Sequence, residues 1–401
     1  MLIVKKFGGS SVADNEKVMN VARRCIEDYQ EGHKVVVVLS AQGKTTDALI
    51  NQAKSINPNP SPRELDMLLV TGEQISVAIM AMAMQSLGVP AISLNAFQAK
   101  MRTTSTYGKA LFKRIDKERI NNELDSGKIV IVTGFQGVNK FDDFTTLGRG
   151  GSDTTAVALA AALHADACEI YTDVDGVFTA DPRVVPNARK LNEITYDEML
   201  ELASLGAKVL HNRSVELAKH YGVPIIVRSS LNREEGTIVK EKTAMMEGVV
   251  VSGVAADKNV AQVSLLEVKD EPGMAFKIFR ALAAKKIDVD IILQSIGREG
   301  TKDILFTVAR SNLAEAVEIL EGLKDSLGIK KIVTDDKIAK VSLVGAGLRT
   351  HAGAAAQMFE VFYNAGINMK MIHTSEIRIS VIIDEAYADR ATRAVHDAFI
   401  N

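Results

Sequence analysis

The chain has 401 residues, of which 47% are hydrophobic and 24% are charged, and its formal net charge at pH 7 is −2. This length exceeds one ordinary domain and the composition supplies a substantial core, so we expect two or three globular domains. The near-neutral charge argues against nucleic acid or an anionic membrane as a partner. Its two cysteines, Cys25 and Cys168, have no metal-ligand spacing, which indicates a reducing compartment and no structural zinc.

The amino terminus predicts a strand and not a targeting signal. Its apolar residues precede Lys5 and Lys6, and no small-residue cleavage site follows them. No stretch approaches the ~18 apolar residues of a membrane span. We therefore expect a cytoplasmic protein without a membrane partner.

Residues 1–240 alternate short β-branched runs with helical patterns, which predicts an α/β layered domain. Most of the predicted strands are apolar on both faces, as in a covered parallel sheet. The predicted strands are 2–7, 34–40, 90–94, 128–135, 167–172 and 223–229, and the predicted helices lie near 12–31, 64–87, 109–125, 152–164 and 211–221. Residues 231–239 are interpreted as a polar exit from this domain.

Two βαββαβ repeats follow, at 260–335 and 336–401. The second repeat ends one strand short, whereas the run GVVVSGVAA at 248–256 has no partner in its own repeat. We therefore predict that residues 241–259 form a linker plus a strand that completes the second sheet, because an open sheet edge invites aggregation. The first repeat would then be an insertion within the second.

Six loops or helix starts in the first domain carry candidate functional residues, although neither a P-loop nor a GxGxxG fingerprint is present. In KKFGGSSV (5–12), paired glycines can bring backbone N–H groups close to a ligand, and Ser10 or Ser11 can cap the next helix. In LLVTGEQ (68–74), Glu73 lies within an apolar segment, where an unpaired charge would be costly. The others are LSAQGKTTD (39–47), TLGRGGSDTTA (146–156), YTDVDGVFTADPR (171–183) and GAKVLH (206–211).

In order and spacing, these six segments resemble the aspartate kinases of the amino acid kinase superfamily. Residues 260–401, with EPGMAFKIFRAL and INMKMIHTSEIRISV, resemble the paired ACT regulatory domains of that family. The resemblance implies a three-layer αβα sandwich with a mainly parallel sheet, followed by two ferredoxin-like ACT domains. It also implies phosphorylation of the β-carboxylate of L-aspartate by ATP with Mg²⁺, the first step towards lysine, threonine and methionine.

The resemblance also implies roles for individual residues. Lys6 and Lys208 would neutralise phosphates, and Asp153 would hold these lysines in place. Arg149 would bind a substrate carboxylate bidentately, and Glu73 would pair with the substrate ammonium. The aspartate-binding set is Ser40, Thr46, Glu73, Arg149, Gly150, Gly151 and Ser152. The nucleotide set is Lys6, Phe7, Gly8, Gly9, Ser10, Thr172, Asp173, Phe178, Asp181, Pro182, Arg183, Lys208 and Val209, and no metal-ligand residues are assigned.

The repeats have two interpretations, structural dimerisation and an amino-acid sensor, and we favour the sensor. A helix start at EPGMA offers N–H groups to an effector carboxylate, Asp270 an ammonium partner, and Gln294 a side-chain contact. Lysine, threonine or both are candidate effectors, and a homodimer or higher oligomer through the ACT domains is expected. The effector set is Asp270, Pro272, Gly273, Met274, Ala275, Gln294, Ala355, Asn368, Met369, Ser375 and Glu376.

Two other functions are compatible with parts of the pattern. One alternative is a kinase for glutamate or acetylglutamate, but the ACT pair and the combination of GEQ with GRGGSD argue against it. A regulator with an inactive kinase domain would not be expected to retain Lys6, Asp153, Asp173 and Lys208. Departures from the family pattern occur at residues 93–100, Tyr107, Phe178 and Ala352.

Overall fold

The computed structural model describes residues 1–205, 209–242, 250–297 and 300–400. The chain forms two compact units, which are described separately. The first unit comprises residues 1–178 and 190–246, and the second unit comprises residues 179–189 and 247–401. The second unit therefore includes a short segment from the middle of the chain.

The strands of the first unit form a large sheet and a small one. In chain order they are β1 Leu2–Phe7, β2 Lys34–Leu39, β3 Ala91–Leu94, β4 Met101–Thr103, β5 Phe112–Ile115, β6 Ile129–Thr133, β7 Gln136–Val138, β8 Phe144–Thr146, β9 Ala167–Thr172, β10 Glu193–Thr195, β11 Ile225–Ser229 and β12 Thr237–Lys240. The large sheet has the order β10-β12-β11-β9-β1-β2-β6-β3, and the small sheet has the order β5-β4-β7-β8. In the large sheet only β11 and β12 pair antiparallel.

Helices cover both faces of the large sheet, which explains why its central strands are apolar on both sides. They are α1 Asn15–Gln30, α2 Thr45–Ile56, α3 Pro62–Ser86, α4 Glu118–Asp125, α5 Gly151–Leu163, α6 Tyr196–Ser204 and α7 Asn212–Tyr221. Helices α1 and α3 share a core with alternate residues of β2 and β6, whereas α5 packs on β1 and against α7. The first unit is thus the predicted three-layer αβα sandwich.

Several sequence predictions in this unit were wrong. Helix α1 is capped by Asp14, whose side chain accepts the Lys17 N–H at 2.9 Å, and not by Ser10 or Ser11, which lie in a 3-10 turn at Gly9–Val12. The predicted helix at 109–125 begins only at Glu118, because β5 precedes it, and the predicted polar exit contains β12. The short helix α6 was not predicted.

Among the described helices, α3 is long and apolar enough to cross a membrane by length and composition alone. Helix α3 begins after Ser61, which caps it, with Pro62 at its first turn. However, α3 packs against α1 and β3 and buries two carboxylates, Asp66 and Glu73. It is a core helix of the first unit.

The described residues of the second unit form one antiparallel six-stranded sheet with four α-helices. Its strands are β13 Gly253–Lys269, β14 Val289–Gln294, β15 Thr301–Ala309, β16 Lys331–Val344, β17 Met371–Thr374 and β18 Arg378–Asp384, and its helices are α8 Met274–Ala284, α9 Leu313–Leu327, α10 Ala354–Asn364 and α11 Ala388–Phe399. The strand order is β14-β15-β13-β16-β18-β17. Helices α8 and α9 cover one core, and α10 and α11 cover another.

Strands β13 and β16 pass through both halves of this sheet. Residues 260–269 of β13 pair with β15 in the first half, whereas Gly253–Asp257 pair with Lys340–Val344 in the second half. The start of β13 thus supplies the strand that the second repeat lacks in chain order. Strand β16 runs without a break through residue 335, where the sequence suggested a domain boundary.

Candidate functional site

The carboxyl ends of β1, β2 and β6 meet the start of α5. The Phe7 carbonyl accepts the Ser40 N–H at 3.2 Å, and the Leu39 carbonyl accepts the Gly134 N–H at 2.9 Å. The Ser40 hydroxyl donates to Ser152 Oγ, the two oxygens being 2.9 Å apart. Ser40 and Ser152, both predicted to bind aspartate, are therefore in contact although they lie 112 positions apart in sequence.

Lys6 and Asp153 form an ion pair at this edge, with Nζ 2.6 Å from Oδ1 and each side chain 13% exposed. Alternation along β1 places Lys5 on the opposite face, where it pairs with Asp28 and Glu169. Lys6 is thus directed towards the first turn of α5. No described side chain caps α5, so its first N–H groups are available to a ligand beside the partly shielded Lys6.

Glycines allow the loops around this ion pair to approach closely. A Cβ on Gly9 would overlap the Ala41 carbonyl oxygen, and the Gly9 carbonyl accepts the Gly43 N–H at 3.0 Å. Gly150 precedes α5 with φ +67°, and a Cβ there would overlap the ring of His211. The backbone of this site therefore requires glycine at both positions.

Glu73 is almost fully buried, with 2% of its surface exposed. One oxygen, Oε1, accepts the Ala41 N–H at 3.1 Å, and Oε2 has no hydrogen-bond partner among the described residues. Burial raises the pKa of this carboxyl from 4.5 to about 7, although the Ala41 hydrogen bond opposes the rise. Glu73 is thus a carboxyl with one oxygen unused, directly beneath the loop after β2.

Asp66 and Arg213 hold the segment before α5, and neither is among the residues predicted from the sequence. Asp66 accepts the N–H groups of Gly108 and Thr146 at 2.9 and 2.8 Å, and also the Thr146 hydroxyl. Arg213 donates to the carbonyl of Leu147 at 2.8 Å. One signal was available: Asp66 lies seven residues before Glu73, on the same face of an apolar helix.

The remaining predicted aspartate-binding residues lie around this edge. Arg149 is exposed and has no hydrogen bond or ion pair with a described residue. Thr46 is half-buried in the first turn of α2, and Gly151 begins α5. Arg149 is thus a cation available to a ligand.

The nucleotide set is divided between the two units. Phe7 is fully buried and stacks on Tyr171 at 4.3 Å, so only its backbone can meet a ligand. Ser10 and Asp173 are exposed, and the Thr172 hydroxyl donates to Asp173 at 3.0 Å. Gly8 and Val209 are half-buried, and Phe178 forms an isolated β-bridge with Lys190. Asp181, Pro182 and Arg183 are exposed and belong to the second unit. Lys208 lies outside the described residues.

Comparison with known proteins identifies the family. The model of the amino acid kinase family matches residues 1–229, and ACT domain models match residues 263–325 and 341–399. The chain is 52% identical to the aspartokinase of Mycolicibacterium smegmatis over 99% of this chain and 96% of that protein. The chain belongs to the aspartate kinases. They are phosphotransferases, and both the predicted family and the predicted fold class are confirmed.

Two further aspartate kinases support this assignment. The Pseudomonas putida aspartate kinase is 48% identical over 99% of this chain and 97% of that protein. The structure of E. coli aspartokinase III in complex with aspartate and ADP has a TM-score of 0.81 at 26% identity, and each chain is covered completely. The same enzyme in complex with lysine and aspartate has a TM-score of 0.79.

The site fits the Mg²⁺ that kinases of this kind use. Among the described residues, no group of three or more His, Cys, Asp or Glu side chains is placed to hold a metal ion. Mg²⁺ is usually bound by one or two carboxylates, water and substrate phosphates, and not by a protein-only cage. An exposed carboxylate at Asp173, directly after β9, fits an ion carried by the nucleotide.

The predicted effector residues fall into two groups in the ACT part of this aspartate kinase. Near β14, Gly273 precedes α8 with φ +91°, Asp270 pairs with Lys302 at 2.9 Å, and the Met274 side chain is buried in the core. The rest of this group is Pro272, Ala275 and Gln294, and the group near β17 is Ala355, Asn368, Met369, Ser375 and Glu376. Strands β14 and β17 are opposite edges of the sheet. At about 4.8 Å per strand spacing, the two edges are about 24 Å apart.

Proposed function

We propose that this chain transfers the γ-phosphoryl group of ATP to the β-carboxylate of L-aspartate, producing 4-phospho-L-aspartate and ADP. A relative of the same fold binds aspartate and ADP, which supports the choice of ligands. The observation that carries the proposal is the Lys6–Asp153 ion pair at the uncapped start of α5. This arrangement suits an anionic phosphate beside an anionic nucleophile.

The proposed reaction needs no general base. A carboxylate oxygen attacks the γ-phosphorus, the bond from that phosphorus to the β–γ bridging oxygen breaks, and ADP leaves with the electron pair. An aspartate side chain is already ionised at pH 7, so no proton has to move. The remaining barrier is repulsion between two anions, which positioned cations and N–H groups reduce.

Each side chain has a role in this proposal. Lys6 neutralises phosphate charge, and Asp153 fixes its position, with Lys208 as the second proposed cation. Arg149 binds the substrate carboxylate and Glu73 the ammonium group. Bound Mg²⁺ would supply further neutralisation of the phosphates, with Asp173 as its protein carboxylate. The backbone of 7–10 and the remaining assigned residues hold the nucleotide and orient aspartate.

We further propose that the ACT part senses lysine, threonine or both, and that two copies of the chain form the sensor. Lysine binding by E. coli aspartokinase III supports the first part. The two effector groups lie at opposite edges of one sheet, so a site that uses both requires a second chain. We also propose domain boundaries at residues 240, 259 and 335 and a cytoplasmic location. The proposed product is the first intermediate towards lysine, threonine and methionine.

One assay tests the proposed reaction. The protein is incubated with MgATP and hydroxylamine, and hydroxamate formation is compared for aspartate and glutamate. We expect product from aspartate and at least about tenfold less from glutamate, because an additional methylene misplaces the carboxylate. The assay is repeated with lysine, threonine and both, and mass is measured by light scattering. Absence of product from aspartate would overturn the proposal, and insensitivity to both amino acids would overturn its regulatory part.

A further inference from the structure

The loop after β9 is built into the regulatory unit. Phe178 and Lys190 are bridged within the first unit, and the eleven residues between them, Thr179–Arg189, belong to the second unit. We call these residues the nucleotide loop, because they include Asp181, Pro182 and Arg183 of the proposed nucleotide set. Residues assigned to ATP are therefore held by the part of the chain assigned to regulation.

The loop is anchored chiefly at Thr179, which is 4% exposed. Its carbonyl accepts the N–H of Val254 at the start of β13, with 2.7 Å between nitrogen and oxygen. Its hydroxyl accepts the Arg189 N–H at 2.9 Å, which closes the loop on itself. The same hydroxyl lies 2.9 Å from Nε2 of His396.

His396 is fully buried on α11, near the end of the chain. Desolvation lowers its pKa below the ordinary value of 6.5, with Asp397 opposing and Arg189 reinforcing that shift. The imidazole is therefore neutral at pH 7, and Nε2 can accept the Thr179 hydroxyl proton. A leucine would fill this core position without burying a polar group. The hydrogen bond to Thr179 therefore explains why a histidine occupies it.

Two more contacts from α11 hold the same loop. Arg393 donates to the Val184 carbonyl at 3.3 Å, and the Asn187 side chain donates to Asp397 at 3.2 Å. Val185 is fully buried as well. Helix α11 thus contacts the nucleotide loop at three residues, Thr179, Val184 and Asn187.

We propose that His396 and Arg393 are positioning residues for ATP, acting through the nucleotide loop. They do not touch the reacting atoms, but they fix the backbone that presents Asp181 and Arg183. This inference rests on the proposed function, since it uses the assignment of that loop to the nucleotide.

Two sets of variants of the full chain test this inference. His396→Leu removes the hydrogen bond and keeps an apolar side chain, whereas His396→Gln restores a polar group at nearly the same place. Arg393→Ala is matched by Arg390→Ala on the same helix, because Arg390 donates to the Ala365 carbonyl and not to the loop. KM for ATP and for aspartate are measured separately, together with kcat and calorimetric binding of ADP.

We expect His396→Leu and Arg393→Ala to raise the KM for ATP about fivefold, as the loss of one hydrogen bond would do. The KM for aspartate should stay within about twofold, since the loop carries none of the aspartate set and each variant retains three of the four hydrogen bonds that join the loop to α11 and β13. His396→Gln should recover most of the ATP affinity, and Arg390→Ala should retain wild-type values. Equal changes in both KM values, or no change in either, would overturn the inference.

An additional variant separates this inference from the function on which it rests. Arg183→Ala tests whether the loop meets the nucleotide. If the wild-type chain makes no product from aspartate, the proposed function fails. If it is active and Arg183→Ala leaves the KM for ATP unchanged, the loop assignment fails. If Arg183→Ala raises that KM but His396→Leu and Arg393→Ala do not, the positioning role alone fails.

Discussion

Replacing Glu73 by glutamine should stabilise the ligand-free protein at alkaline pH. Folding raises the pKa of Glu73 from 4.5 to about 7, so between these values the native state binds the proton and the unfolded state does not. The native state therefore loses stability as pH rises from about 4.5 to about 7. This difference corresponds to about 3 kcal/mol of unfolding free energy at pH 8.

Glutamine removes the charge and can still accept the Ala41 N–H. We expect Glu73→Gln to raise the melting temperature by about 6–12 °C at pH 8, from about 3 kcal/mol at about 2–4 °C per kcal/mol in a unit of this size. At pH 5, where Glu73 is protonated in the native state, the difference between variant and wild type should fall to under about 1 kcal/mol. Differential scanning calorimetry without aspartate, at pH 5 and pH 8, measures both.

The same substitution tests the assignment of the ammonium partner. Because an ammonium group favours the ionised carboxyl, aspartate binding near pH 7 should release protons from the wild type and not from Glu73→Gln. Calorimetric titration in two buffers of different ionisation enthalpy measures this release. A variant that is no more stable at pH 8, or that binds aspartate with unchanged affinity and proton release, would refute the reasoning.

Three further predictions concern the same edge of the sheet. Lys6→Ala should lower kcat by about 10²–10³ with little change in the KM for aspartate, because it removes phosphate neutralisation; unchanged kcat in a coupled ADP assay would exclude a catalytic role. Asp66→Ala should destabilise the first unit by about 1–3 kcal/mol and raise the KM for aspartate, because the buried N–H groups of Gly108 and Thr146 lose their acceptor; denaturation and kinetics measure both, and unchanged values would contradict its role. Gly150→Ala should reduce activity and stability by about 1–3 kcal/mol each, since φ +67° and the ring of His211 exclude a Cβ; wild-type melting and rate would count against this.

The sequence predicted the repeated strands and helices well because their patterns are local. Strands β1 and β9 were predicted with their observed bounds, and the missing strand of the second repeat was deduced from an unpaired run at 248–256. The short strands of the small sheet were not predicted, because a three-residue strand has almost no periodicity. Strand β5 was interpreted as helix for that reason.

Site residues that lie within a sequence motif could be predicted, whereas residues whose role depends on distant parts of the chain could not. Glu73 was found because a charge in an apolar run is visible in the sequence. The role of Asp66 was not predicted, because it depends on two backbone N–H groups about 40 and 80 residues away in sequence. His396 could not be found at all, since its partner Thr179 is 217 residues distant and on a loop of another predicted domain.

Strands β13 and β16 have a consequence for how the ACT part unfolds. Each strand contributes residues to two cores, one under α8 and α9 and the other under α10 and α11. If β13 frays at one end, the half of the sheet at that end loses backbone hydrogen bonds. Because the same strand continues into the other half, that half is destabilised as well. We therefore expect the two repeats, although separate in sequence, to unfold as one cooperative unit, and truncation within either strand to destabilise both.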